Sequence, residues 1–152
     1  MAILTGTRGR LRQEEGAELI EMAFVLPLLL LLIGAIIEFG FLFREMNVVT
    51  NAAREGARAG VLPEYTADAN VANRVQQYLN ASGIPVTCPS ADCVVSSPVI
   101  DVVAPAPAAP FEAREVQVTI LHQYTILGPL ASLVGGSFSN VPLTGRSVMR
   151  IE

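Results

Sequence analysis

The sequence feature that constrains this chain most is a continuous apolar run from Met22 to Phe43, interrupted by a single ionisable residue, Glu38. Wound as an α-helix at about 1.5 Å per residue, the run spans roughly 33 Å, close to the roughly 30 Å hydrocarbon core of a bilayer. A soluble protein would need a large body to cover every face of such a helix. At 152 residues the chain has room for one small domain beside it, and not for two. The apolar excess of the composition (51% hydrophobic residues) is concentrated here, so the sequence describes a membrane anchor joined to an ordinary small domain.

Arg8, Arg10 and Arg12 precede the run. Acidic residues count little in the positive-inside rule, so the arginines predict a cytoplasmic N-terminus and an extracytoplasmic C-terminal part. A cleavable secretory signal has an apolar core of about 7–15 residues closed by a small-x-small site. Here the core is longer, and the nearest good site, Ala57-Arg58-Ala59, lies well beyond it, so the segment reads as a retained anchor. Pro27 is tolerable in a membrane helix, where neighbours re-satisfy the backbone. Glu38, five residues before the end of the run, has two readings: it snorkels to the interface, or it meets a specific partner. The net charge of −4 with no basic patch excludes nucleic acid as an expected partner. Membrane lipid is an expected one.

From Arg44 to about Leu62 no proline intervenes, so the helix continues as a stem, with Pro63 breaking it. At about 100° per residue, Asn51, Arg54, Glu55 and Arg58 share one side, and Val48, Val49, Ala52, Ala53, Gly56, Ala59 and Gly60 the other. Such a small-residue face, with Ala52, Gly56 and Gly60 at its centre, lets another backbone approach closely. That backbone belongs either to the chain's own domain or to another subunit. Beyond Pro63, Thr66 or Asp68 reads as the N-cap of a helix through Asn80, with Val71, Val75, Tyr78 and Leu79 on one stripe and Gly83 ending it. Strands are predicted at Ile84–Cys88, Cys93–Val103, Glu115–Ile126 and Leu143–Ile151, with an Ala/Pro connector at Ala104–Pro110 and a helical turn at Leu130–Val134. In the third strand Val116, Val118, Ile120 and His122 share a face. The predicted fold is α+β: a long N-terminal helix packed on a small antiparallel sheet. The predicted segments are 1–16 as a cytoplasmic leader, 17–62 as transmembrane helix and stem, and 63–152 as an extracytoplasmic α+β domain.

Little of this suggests catalysis. Cys88 and Cys93, beyond the anchor, are best read as a structural disulfide, because redox pairs are usually spaced Cys-x-x-Cys and a metal needs more than two thiols. His122 is the single histidine. A triad can be drawn on paper from Ser132, His122 and Asp101, but no nucleophile elbow or oxyanion loop accompanies it. Phosphate-binding loops and paired catalytic carboxylates are missing, so neither enzymatic activity nor a cofactor or metal is expected.

The sharpest motif stands at the start of the apolar run, where Gly16 precedes Ala17-Glu18-Leu19-Ile20-Glu21. Cleavage after Gly16 makes Ala17 a free amine and Glu21 the fifth residue of the product. A carboxylate at the bilayer edge is costly unless compensated, and the N-terminal amine of a neighbouring subunit can compensate it as helices stack. The plain alternative is ordinary juxtamembrane charge. Taken together, Gly16 to Pro27, then Ile37-Glu38-Phe39-Gly40, then Asn51-Ala52-Ala53-Arg54-Glu55-Gly56-Ala57-Arg58 resemble the TadE-like pilus assembly proteins, minor pilins or pseudopilins of bacterial tight-adherence (Flp-type) pilus and secretion systems. Ser147 to Glu152 resembles that family's closing strand.

The resemblance implies processing by a prepilin peptidase between Gly16 and Ala17, with Glu21 as the matching glutamate. It also implies residence in the bacterial inner membrane, possible incorporation into a pilus, and a structural role beside pilins and inner-membrane platform proteins, with Glu21 and Glu38 as residues of subunit assembly. One departure is that Glu14-Glu15 stand where prepilins commonly carry a basic residue. Two other readings stay open: a signal-anchored extracytoplasmic binding module in which Gly16 has no role, and an anchored hydrolase using His122.

Overall fold

A computed structural model describes residues 7–63, 67–103, 110–133, 135–136 and 140–151, with only the backbone path of 7–15, 17, 130, 131 and 133. The elements are α1 (Thr7–Gly60), α2 (Asp68–Ala81), β1 (Cys93–Ser96), β2 (Val99–Val102), β3 (Phe111–His122), α3 (Leu127–Leu133) and β4 (Val141–Arg150). The fold is α+β, a long N-terminal helix packed on a small antiparallel four-stranded sheet. Two compact units divide the chain: Met1–Phe39 with Thr125–Ser137, and Gly40–Tyr124 with Phe138–Glu152.

In the second unit β3 is the central strand, and β4 runs antiparallel along one edge from Ala113↔Arg150 to His122↔Val141. On the other edge β1 and β2 follow one another, and their register is continuous, from Cys93↔Ile120 to Val102↔Phe111. The single strand expected at Cys93–Val103 is therefore one line of pairing notched at Ser97-Pro98. Pro98 has no N–H to give the ladder, but its carbonyl still accepts from the Glu115 amide at 3.0 Å. Val116, Val118, Ile120 and His122 all turn to the buried face of β3, as their alternation predicts.

Several boundaries differ from expectation: α3 starts at Leu127 rather than Leu130 and β4 runs Val141–Arg150 rather than Leu143–Ile151, and three further differences have a hydrogen-bonding side to them. Ile84–Cys88 forms no strand, because side chains of α2 take its donors: the Val86 amide gives to Asn80 Oδ1 and the Cys88 amide to Gln76 Oε1, both at 2.9 Å. β3 starts earlier than Glu115 and stops at His122, four residues short of Ile126. Amides of Thr125 and Ile126 bond to a side chain of α1 instead of a strand. The N-cap of α2 is Ala67, with no side-chain cap, since the Asp68 carboxyl is drawn away by Arg114 Nη2 at 2.5 Å and Ser97 Oγ at 2.7 Å. Thr66, Val134 and Ala104 to Ala109 of the connector lie outside the described residues.

The core of this unit is built from small α1 residues (Val49, Ala52, Ala53, Ala57) against Val71, Val75 and Leu79 of α2 and Val116, Val118, Ile120 and Leu143 of the sheet. Short side chains on α1 bring its backbone down onto the sheet. The approach is tightest at Gly145 of β4, where a Cβ would lie 2.6 Å from the Val49 carbonyl oxygen and 2.8 Å from Thr50 Cα. Backbone atoms of a helix cannot step aside as a flexible side chain can. We therefore expect Gly145→Ala to destabilise this unit by about 1–3 kcal/mol, the usual cost of overpacking. Gly40→Ala, where nothing lies within 4 Å of the added carbon, leaves stability unchanged or slightly raised. Thermal unfolding of the two variants in detergent, followed by circular dichroism, checks the contrast.

Candidate functional site

Through the apolar run α1 presents its large side chains outward: Phe24, Leu28, Leu30 and Ile36 are all exposed, Phe24 by 78%. An apolar surface this continuous is not stable in water and requires another phase or partner to cover it. By length and composition α1 is sufficient to cross a membrane. Pro27 lies within the helix without ending it.

Gly16 and Ala17 both lie within α1, so the peptide bond between them is helical, and nothing stands within 4 Å of a Cβ added at Gly16. Glu18 and Glu21 are exposed, and neither forms an ion pair among the described residues.

Glu38 differs from them. It is 2% exposed, in the same helix, and its carboxyl group accepts three backbone hydrogen bonds: Thr125 N–H to Oε1 at 2.8 Å, and Ile126 and Leu127 N–H to Oε2 at 2.7 and 3.1 Å. These amides open α3, whose first-turn donors have no partner within the helix and whose N-terminus carries partial positive charge. Pro129, the third residue of α3, has no donor to satisfy. Of the two readings of Glu38, the structure shows the specific partner.

The stem residues Ala52, Gly56 and Gly60 pack within the second unit. Ala52 is fully buried, a Cβ on Gly56 would meet Val75 Cγ2 at 2.6 Å and Val116 Cγ1 at 3.2 Å, and one on Gly60 would meet Val71 and Arg114. Of the two backbones that face was expected to meet, it packs on the chain's own α2 and sheet. Arg44 adds a tie from α1 to the end of α2, donating from Nη2 to the Ser82 carbonyl at 2.7 Å. Cys88 and Cys93 are joined by a disulfide. Closing so short a loop stabilises by about 2 kcal/mol in the chain-entropy account.

The residues of the paper triad have other engagements. Buried His122 holds Glu45 Oε2 of α1 through Nδ1 at 2.7 Å. Ser132 donates its hydroxyl to the Pro129 carbonyl at 2.6 Å, and Asp101 lies in β2 opposite Glu112. No group of metal-ligating side chains occurs among the described residues. On the outer face of the sheet Glu115 hydrogen-bonds Arg146 at 2.6 Å, and that bond and the carboxylate charge hold the guanidinium above its ordinary pKa. Sequence reasoning missed Glu45 as the partner of His122, the buried Arg114 with Asp68 and Ser97, and the amides of 125–127. A lone histidine at a buried strand position announces that a polar partner is needed, but the partner lies 77 residues away.

These features define a class: a small α+β protein carried on one long helix that is apolar enough to serve as a membrane anchor. Within that class, the family described as TadE-like protein matches residues 16–58, the stretch that carries the resemblance read from the sequence. That family implies a component associated with Tad pili. No curated protein and no solved structure matches the chain.

Replacing Glu38 by Ala removes the acceptor of three amides. Hydrogen bonds to a carboxylate contribute about 1.5–3 kcal/mol, so exchange at Thr125, Ile126 and Leu127 is expected to accelerate by roughly 10–100-fold. Hydrogen–deuterium exchange of the intact protein in detergent reads this, with the β3 and β4 amides unchanged.

Proposed function

We propose that this chain is a minor pilin, or pseudopilin, of a Tad/Flp-type pilus or secretion apparatus. In this reading residues 1–16 are a cytoplasmic leader, 17–62 the transmembrane helix and its stem, and 63–152 an extracytoplasmic domain. The observation that carries the reading is the TadE-like match over 16–58, which begins at Gly16 and takes in Glu21. Two further features support it. The disulfide suits an oxidising, extracytoplasmic compartment. Glu21 is exposed on an exposed apolar helix and forms no ion pair among the described residues, so it is available to a partner.

The mechanism is one of assembly. A prepilin peptidase removes the leader and leaves Ala17 as a free amine. As the processed helix joins others in the membrane, the amine of one subunit meets Glu21 of its neighbour, and the mutual neutralisation favours one axial register over others. Platform proteins of the inner membrane and the other pilins are the partners this requires. The small-residue face of the stem holds the extracytoplasmic domain in place.

The intact mass of the membrane-extracted protein, produced with and without a cognate prepilin peptidase, tests the processing step. A product beginning at Ala17 that appears only with the peptidase is expected; an uncut chain in both cases counts against the pilin reading and for an anchored binding module. Separately, Glu21→Ala is expected to leave membrane insertion intact and to abolish piliation. Normal pili in that mutant would remove Glu21 from assembly.

A further inference from the structure

Between His122 and Arg146 the chain carries no charged residue, and its middle part, 125–136, reads Thr-Ile-Leu-Gly-Pro-Leu-Ala-Ser-Leu-Val-Gly-Gly. This is an unusual composition for a loop in water, where connecting segments are polar. Among the described residues, this stretch groups with the part of α1 before Gly40 rather than with the sheet. From these observations and the Glu38 contacts we infer that residues 125–133 are a second membrane-embedded element. α3 lies in the outer leaflet among lipid acyl chains, fastened to the anchor by Glu38. The inference rests on the reading of α1 as the membrane anchor with its C-terminal side outward.

Depth is the first argument. Glu38 stands five residues before Phe43, the last residue of the apolar run, which places it roughly 7 Å inside that end along the helix. The amides of Thr125, Ile126 and Leu127 lie 2.7–3.1 Å from its oxygens, so the start of α3 shares that depth.

Chemistry is the second. Non-helical backbone survives at membrane depth only where its polar groups are satisfied by protein or by a water-filled cavity. Here the amides leading into α3 are satisfied by the carboxyl group, and the carboxyl group, itself expensive in hydrocarbon, is satisfied by the amides. In an aqueous loop the same amides would bond to water, and a carboxyl group within the apolar run would be a cost with no function. The one hydroxyl inside α3 follows the same rule: Ser132 donates to the Pro129 carbonyl at 2.6 Å, so an exposed serine presents no unsatisfied donor to lipid. Gly135, at φ +75° where a side chain would be strained, turns the chain out of α3, with its amide on the Ser132 carbonyl.

The occupant of this surface is lipid rather than a second copy of the chain, and the two are separable. A nitroxide is placed on the full-length protein through Ser132→Cys, the native cysteines being held in their disulfide, and the protein is reconstituted in vesicles of phosphatidylethanolamine and phosphatidylglycerol. Collision rates with oxygen, which concentrates in hydrocarbon, and with a neutral nickel chelate, which stays in water, are compared with those of labels at Leu30→Cys and Gln77→Cys. The expected result is that the Ser132 label resembles Leu30, with an oxygen-to-nickel collision ratio several-fold above that at Gln77. Adding Glu38→Leu is expected to raise nickel access at position 132 and leave position 30 unchanged; no change at 132 would overturn the role of Glu38 as the fastening. A Ser132 label open to nickel while Leu30 is not overturns the inference and spares the anchor. Nickel access at both positions overturns the anchor reading and this inference with it. A Ser132 label immobilised and shielded from both reagents identifies a protein contact and overturns lipid as the occupant.

Discussion

A helix whose side chains change size along its length has to change surroundings with them, and this constraint organises the chain. Through Phe43, α1 carries leucine, isoleucine and phenylalanine outward and buries almost none of them. From Val49 to Gly60 its inward residues shrink to alanine and glycine, and these are buried completely or nearly so. Large exposed side chains gain by contact with hydrocarbon, whereas small ones offer little area and gain instead by letting backbones approach. The sheet is shaped around this second half. β3 contributes valines to fill the space that alanines leave, and β4 carries glycine where the helix backbone passes closest.

Polar groups in the second unit follow from that tight approach. When a helix lies directly on a sheet, polar side chains caught between them require partners of their own. His122 finds Glu45 of α1, and the buried guanidinium of Arg114 reaches Asp68 at the start of α2 with Ser97 alongside. Breaking such a pair by removing one member strands the other in a buried site, which is why pairs like these fix an arrangement more than they stabilise it. Asp68 serves two neighbours at once, Arg114 Nη2 and Ser97 Oγ, and Glu45 holds His122.

Much of this was legible in the residues, and the parts that were not share a cause. The apolar run, the stem, the α2 stripe and the inward face of β3 follow from periodicity, which is local. Gly145 was legible in principle, since a glycine inside a strand pattern signals close backbone approach. The failures lie where a backbone donor was taken by a side chain distant in sequence. Ile84–Cys88 is apolar enough to suggest a strand, but Asn80 and Gln76 claim its amides. β3 ends where it does because Glu38, 87 residues away, competes for the amide of Thr125. Asp68 looks like a cap until Arg114 draws its carboxyl group off. Pattern reading sees which residues prefer burial; it does not see which acceptor a given amide will find.

The same distinction separates the two glutamates that the motif places in one apolar helix. Glu38 and Glu21 face a common problem, a carboxyl group on a helix apolar enough to cross a membrane, where water would be scarce. For Glu38 the chain supplies its own answer in the amides of 125–127, so its burial is complete within one molecule. Glu21 receives no comparable group: it is exposed, and no ion pair among the described residues involves it. A satisfied carboxyl group has little to gain from a neighbour, whereas an unsatisfied one at the bilayer edge gains most from a cation held at the same depth. In the assembly proposed above, the amine of residue 17 on an adjacent helix is four residues, or about one turn, from the level of Glu21. In that proposal the axial offset that joins them is short, and Glu21 is the carboxyl group with more to gain from a contact between subunits.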